Sequence, residues 1–368
     1  MNESIKRNYN KILFVIIIII GIVIRVYNFP EGMKEINIDE IIAAMNAKEI
    51  AETGKDLLGL SYPIYLKGLG GQSVFSLYLM TICIKIFGYT LFSIRLPALI
   101  ISIIAMFVFY DLIKKISKNK NVALLGLSLL AISPWHILQS MWSWDCNMFP
   151  HFLLIAMDIL YKEIKKNKKI VVYISMIFFA ITLYCYGIAI YFVPVFLLIF
   201  SIYLIKIKKI NIKDLVICIF IFLIFSLPII TMFAINALKI DYTITIFNIT
   251  IPYYKDLTRT DDMLLFSNNI LSQLMQNIIY TFSVIILQND NVPWNTTQIF
   301  GTIYHISLIF AIIGIIFSIK NIRKNKKEDN TKDIILIFWI IISILTGFLV
   351  NQTTVNRLNS IWYVLITF

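Results

Sequence analysis

The residues whose types and spacing suit chemistry best are Asp39 and Glu40, adjacent carboxylates in INIDEIIAAMNAKEIAETG, which follows the apolar run ILFVIIIIIGIVIRVYNF. A carboxylate held beside a reacting hydroxyl accepts its proton, and a neighbouring acid can position it. The same pair also reads as the start of a helix. Asn37 as N-cap with Glu40 three residues later makes a capping box, and acids favour a first helical turn through the macrodipole. Both readings fit one site, with Asp39 suited to act as a base and Glu40 as the cap. Among the cations, Arg25, Arg95 and Arg357 offer a fixed fork of donors to phosphate oxygens and Lys67 a point charge. For Arg25 and Arg95 the competing explanation is a helix-end arginine snorkelling to lipid headgroups.

A third acid, Asp145, stands between Trp144 and Cys146 in SPWHILQSMWSWDCNMFP. An interfacial aromatic belt explains Trp142 and Trp144 but not the aspartate. Tyr184, Tyr186 and Tyr191 in LYCYGIAIYF read either as belt residues or as the lining of the same cavity. Cys83, Cys146, Cys185 and Cys218 lack metal-ligand spacing, and His136, His151 and His305 are spread too widely for a ligand set. His136 and His151 could still approach each other across one loop. No metal or other cofactor is expected. Asp158, inside an apolar run, is expected to face the interior of a bundle as a structural residue.

These residues must be positioned by membrane helices. At 59% hydrophobic and 15% charged over 368 residues, the chain is too apolar for a soluble domain and reads as an all-α polytopic membrane protein. Runs near the required length of about 20 residues fall at 12–28, 94–113, 121–139, 148–161, 170–187, 188–205, 215–237, 299–319 and 334–350, with a last one from 360, or about ten spans. The first run lacks a small-residue cleavage site and counts as a span rather than a signal peptide. The net charge of +12 does not imply nucleic acid, because the basic residues sit in short clusters between apolar runs, the positive-inside pattern.

Residues 73–87 decide the topology. If they span, the clusters KKISKNK and KEIKKNKK fall outside the cell. If they lie flat as a juxtamembrane helix, the N-terminus and every lysine cluster fall inside, with most of the 33 Lys and Arg. The second topology is preferred. It puts residues 30–93, 133–150, 238–298 and 351–360 outside, so the chemistry is sought there. The last apolar run breaks off at Phe368, too short to cross, which reads as a truncated product of one membrane domain over 1–368.

The order of these features resembles the GT-C superfamily of membrane glycosyltransferases, which includes protein O-mannosyltransferases and lipid A aminoarabinose transferases. The matching features are Arg25 and Pro30, the Asp39–Glu40 pair opening an amphipathic helix, Gly54 and Pro63, and Phe87–Gly88 ending a juxtamembrane helix. FSIRLPALI with Arg95 and Pro97, and Ser133–Pro134 followed by Asp145, complete the series. The resemblance implies transfer of a sugar from a polyprenyl-phosphate carrier in the plasma membrane to a cell-envelope acceptor on the outer face, with inversion at the anomeric carbon. It implies Asp39 as general base, Glu40 as a positioning residue, and Arg25, Lys67, Arg95 and Arg357 as phosphate ligands. Asp145 and Tyr186 would meet the sugar, and Asn291 and Trp294, in LQNDNVPWNTTQIFG of the long loop, the acceptor. The competing readings are a transporter or flippase of lipid-linked sugars, which favours charge deep in the membrane, and an inactive fragment of a transferase.

Overall fold

The computed structural model describes residues 3–166, 169–255, 257, 270–292, 294–297, 299–324, 330–350 and 352–368. The apolar runs form helices because a backbone removed from water must bond to itself. In chain order they are α1 (Glu3–Val26), α2 (Ile38–Thr53), α3 (Phe75–Phe87), α4 (Leu91–Ser117), α5 (Lys120–Ile132), α6 (Pro134–Met141), α7 (Asp145–Lys166) and α8 (Lys169–Cys185). There follow α9 (Ala189–Lys206), α10 (Ile212–Ala237), α11 (Ile270–Leu287), α12 (His305–Lys324), α13 (Thr331–Leu349) and α14 (Trp362–Thr367). Among the described residues seven helices are long and apolar enough to cross a membrane, or eight if α5 and α6 form one bent span, fewer than the ten expected. Three expected runs fall outside this set: α7, which carries Asp158 and lysines, α8, only 17 residues long, and the last run, which forms only the six-residue α14; α11, which was not expected, joins it.

The expected run 121–139 is two helices that meet at 56°. Pro134 is the cause: it opens α6 at its first position and has no N–H with which to continue α5. Residues 75–87 form a 13-residue helix, α3, about 20 Å long by helical rise and too short for a hydrocarbon core of about 30 Å. It packs on α2 through Ala43, Ala47 and Ile50 against Leu77, Met80 and Ile84, a small core of its own. The stretch 238–298, expected as one long loop, contains α11, which is apolar enough to cross. Yet Asn277 Nδ2 in its middle donates to Phe348 O at the end of α13, at 3.0 Å, and Thr281 bonds Thr353 beyond it at 3.3 Å. The middle of α11 is thus level with the end of α13.

Two antiparallel hairpins stand at that end of the bundle. In β1 (Tyr65–Leu66) and β2 (Gln72–Ser73), Tyr65 faces Ser73; in β3 (Ile244–Ile246) and β4 (Ile249–Ile251), Ile244 faces Ile251. Tyr254 Oη donates to Tyr65 O at 2.9 Å and ties the two loops together. The lysine clusters gather at the other end. There Lys115 binds both oxygens of Asp158, at 2.6 and 2.7 Å, and Lys169 reaches Asp214 at 2.9 Å. Asp158 is therefore a paired structural residue, as its position inside an apolar run requires.

Candidate functional site

Asn37 caps α2 as expected, but its Oδ1 accepts from Asp39 N, at 3.0 Å. Glu40 does not reach back to complete a capping box. It turns inward, fully buried, and accepts from Arg95 Nε at 3.2 and 3.3 Å, from Arg95 Nη2 at 2.9 Å and from Ser143 N at 3.0 Å. Arg95, also fully buried, directs its other donors to the carbonyls of Pro30, Met33 and Glu35 at 2.7, 2.8 and 3.0 Å, and lies 5.0 Å over the Trp142 ring. A buried guanidinium without a carboxylate is far more costly than one missing cap bond, so the ion pair claims Glu40. The result is a clamp that holds the start of the first loop against α4 and the 143–145 segment.

Asp39, one position earlier, is half-buried, and among the described residues its carboxylate makes no hydrogen bond or ion pair. Its main-chain carbonyl accepts from Gln72 Nε2 at 3.0 Å. The next residue, Ser73, donates its N–H to Asp145 Oδ2 at 3.1 Å, while Asp145 Oδ1 accepts from Cys146 N at 2.8 Å. Strand β2 therefore joins the two acids, one residue to each. Trp142 and Trp144 stack beside them, with ring centroids 5.1 Å apart.

A separate polar cluster lies deeper. Arg25, fully buried, donates to Gly21 O and Ala131 O at 2.9 Å and to Leu130 O at 3.2 Å, and meets His136 Nδ1. His136 Nε2 and His151 Nδ1 both bond Tyr363 Oη, at 2.9 and 2.6 Å. The two histidines do approach each other, but no third His, Cys, Asp or Glu joins them among the described residues. On the far side, Asn359 accepts from Trp135 Nε1 and donates to Cys146 O, each at 3.0 Å, and so brings segment 352–360 to the start of α7.

Residues 72–231 match a family model described as dolichyl-phosphate-mannose-protein mannosyltransferase, a segment that includes Arg95 and Asp145 and begins after Asp39. The oligosaccharyltransferase of Archaeoglobus fulgidus in its apo form is similar with a TM-score of 0.61 at 12% identity, over 99% of this chain and 51% of that one. ArnT from Cupriavidus metallidurans, bound to undecaprenyl phosphate, is similar with a TM-score of 0.61 at 9% identity, over 96% of this chain and 59% of that one. The chain has the GT-C membrane fold. AglB from Archaeoglobus fulgidus, in complex with an inhibitory peptide and a dolichol-phosphate, has the same likeness, with a TM-score of 0.60 at 13% identity over 98% of this chain and 50% of that one. The chain thus spans about half to three-fifths of the length of these GT-C structures. No curated protein sequence matches it.

Within this GT-C frame the predicted residues separate into groups. Asp39, Glu40, Arg95 and Asp145 are brought together. Arg95, expected as a phosphate ligand, stands instead at the clamp's centre, and Glu40, expected to position or cap, is its counter-ion and makes no cap; every donor and acceptor they have faces protein. Arg25 is likewise enclosed, its terminal nitrogens held by the carbonyls that end α5. Lys67 is exposed at the β1–β2 turn, and Tyr186 is buried between α8 and α9. Arg357 is half-buried and donates to Gln352 O at 3.1 Å. Asn291 and Trp294 are exposed, while their neighbours Asp290 and Asn295 bond Val355 N and Asn356 Nδ2, at 2.9 and 2.6 Å. Gln72, Ser73, Ser143 and Asn359 were missed. Gln72 and Ser73 follow the turn-rich GLGG, which was the one local sign of a tight hairpin.

Proposed function

We propose that the chain is a membrane glycosyltransferase that moves a sugar from a polyprenyl-phosphate donor to an acceptor hydroxyl, with Asp39 as general base. The observation that carries this reading is the contrast between the two acids. Glu40 is saturated by Arg95 and Ser143, whereas the Asp39 carboxylate is half-exposed and uncommitted beside the Asp145 end of α7. In the reaction the acceptor oxygen attacks the anomeric carbon from the face opposite the phosphate and inverts that centre. Its proton passes to Asp39 as the bond forms, and the polyprenyl phosphate departs with its charge balanced by a cation. With Arg25 and Arg95 enclosed, Lys67 and Arg357 are the cations assigned to the phosphate.

The family match over 72–231 and the GT-C fold support this reading, as does the binding of undecaprenyl phosphate by ArnT and of dolichol-phosphate by AglB. The sidedness follows from charge: lysine-rich helix ends lie inside and the Asp39 end outside the plasma membrane. The test is transfer of labelled sugar from polyprenyl-phosphate donors to a membrane extract by the protein in nanodiscs. Asp39→Asn should lower the rate by a factor on the order of 100 or more, with binding of the lipid phosphate retained. Transfer at the parental rate by that variant removes Asp39 as the base. Movement of labelled lipid between leaflets without transfer overturns the reaction class.

A further inference from the structure

Helices α9 and α10 are both long and apolar enough to cross a bilayer, and only residues 207–211 join them. A link that short between two spans stays at the membrane surface, so its side chains lie at the depth of the lipid headgroups. It opens with a Schellman turn: Lys208 N donates to Ile205 O and Lys209 N to Leu204 O, both at 2.9 Å, with Lys208 in the left-handed region at φ 57°. It closes at Asn211, whose Oδ1 accepts from Asp214 N at 2.8 Å and caps α10. The two closures fix the backbone that carries Lys208, Lys209 and Lys213.

The start of α8 completes a cavity of about 660 Å³ against this link. Lys169, Lys208, Lys209 and Lys213 line it, with Asn211 and Asp214. The one carboxylate among them is already taken. Asp214, buried, binds Lys169 Nζ at 2.9 Å and accepts from Tyr173 Oη at 3.1 Å. Among the described residues, Lys208, Lys209 and Lys213 have no carboxylate within ion-pair reach. At the same end of the molecule Lys115 is held by both Asp111 and Asp158. The positive-inside bias accounts for lysines here one at a time, but not for four around one concavity with three unpaired. Convergent cations with no acid between them make a positive potential that an anion relieves.

The rest of the lining selects the kind of anion. Ile205, Ile210 and Ile212 form the apolar wall of the cavity. Ile205 ends one span and Ile212 begins the next, and their neighbours Ile202 and Val216 are exposed on the helix surfaces. A small solute anion gains nothing from isoleucines, whereas a phospholipid offers its phosphate to the lysines and its glycerol and first methylenes to the apolar wall. The volume suits a headgroup, since small-molecule sites run to about 300–1,000 Å³.

We propose that Lys208, Lys209 and Lys213, with Lys169 at the edge, bind the headgroup of an anionic phospholipid in the leaflet on the lysine-rich side of the membrane. Its phosphate is held by the three unpaired lysines, while Lys169 stays on Asp214. The site is at the opposite end of the bundle from Asp39 and does not depend on the transfer reaction.

The test is native mass spectrometry of the full chain released from detergent and titrated with phosphatidylglycerol or phosphatidylcholine of the same acyl chains. The parent should bind one phosphatidylglycerol more tightly than phosphatidylcholine. Combining Lys208→Ala, Lys209→Ala and Lys213→Ala should weaken the anionic lipid on the order of 100-fold, about fivefold for each lysine, and arginine at the same three positions should restore it. Lys213→Ala alone, an exposed helix position where alanine is well tolerated, should cost about fivefold and guards against misfolding of the triple variant. The control combines Lys118→Ala, Lys120→Ala and Lys324→Ala, exposed lysines of the other clusters, and should bind as the parent does. Equal weakening in the two triple variants shows diffuse attraction and overturns the site. Equal binding of the two lipids by the parent overturns the anion. Displacement of the bound lipid by millimolar inorganic phosphate overturns a phospholipid as the occupant.

Discussion

Asp39 and Glu40 are one position apart on α2, about 100° of rotation around a helix of 3.6 residues per turn. That angle sends Glu40 into the protein toward Arg95 and leaves Asp39 at its margin, so neighbours of the same chemistry take different roles. The clamp is the more stabilising of the two. Arg95→Ala leaves a fully buried carboxylate and three loop carbonyls without their donor, and breaking a pair of this kind costs about 3–5 kcal/mol. Its thermal unfolding midpoint in detergent should fall well below that of Lys67→Ala, which removes an exposed charge and should leave the midpoint unchanged. Equal midpoints for the two variants would show that the clamp contributes nothing to stability.

Asp56 shows how a turn positions an element. The buried carboxylate follows α2, and its Oδ1 accepts from Leu58 N and Leu60 N at 3.0 and 2.8 Å. Burial pushes its pKa above the ordinary 3.8, with the backbone bonds acting in the opposite direction. A raised folded-state value means that the folded form binds the proton more tightly, so Asp56 destabilises the fold as pH rises above 3.8 and is neutral below it. Asp56→Asn keeps an Oδ1 acceptor for both bonds and carries no charge. Its melting temperature should exceed the parent's at pH 7 and converge on it as the pH falls toward 4. Helix contacts at the same end are tight as well. A Cβ on Gly347 would stand 2.7 Å from Thr281 Oγ1 and 2.8 Å from Leu358 Cδ2. Gly347→Ala should therefore wedge α13 from α11 and segment 352–360 and destabilise by about 1–3 kcal/mol in a denaturation series.

The whole molecule has two chemically distinct ends, and its proposed orientation makes one prediction that depends on no single contact. In a Cys83→Ser background, which leaves three buried cysteines, Glu52→Cys at the site end should react in intact cells with a membrane-impermeant thiol reagent. Lys118→Cys, exposed at the lysine-rich end, should be protected until the membrane is permeabilised. The reverse pattern would invert the topology.

The helical membrane architecture, the shortness of α3 and the gathering of Asp39, Glu40 and Asp145 at one end were all legible in the chain. Apolar run length, the short 73–87 segment and the clustering of lysines are local properties that a bilayer reads directly. The break between α5 and α6 was legible too, in Ser133–Pro134, although an apolar count passed over it. What only the tertiary structure decided is which groups are already satisfied. Arg25, Arg95 and Arg357 look alike as helix-end arginines, yet the first two are closed by carbonyls and side chains from distant segments. Glu40 has an eligible cap three residues before it and a stronger partner 55 residues away. Gln72, Ser73 and Ser143 are ordinary polar residues until folding places them beside two carboxylates. Helix formation depends on neighbours in sequence, whereas the pairing of buried polar atoms depends on neighbours in space.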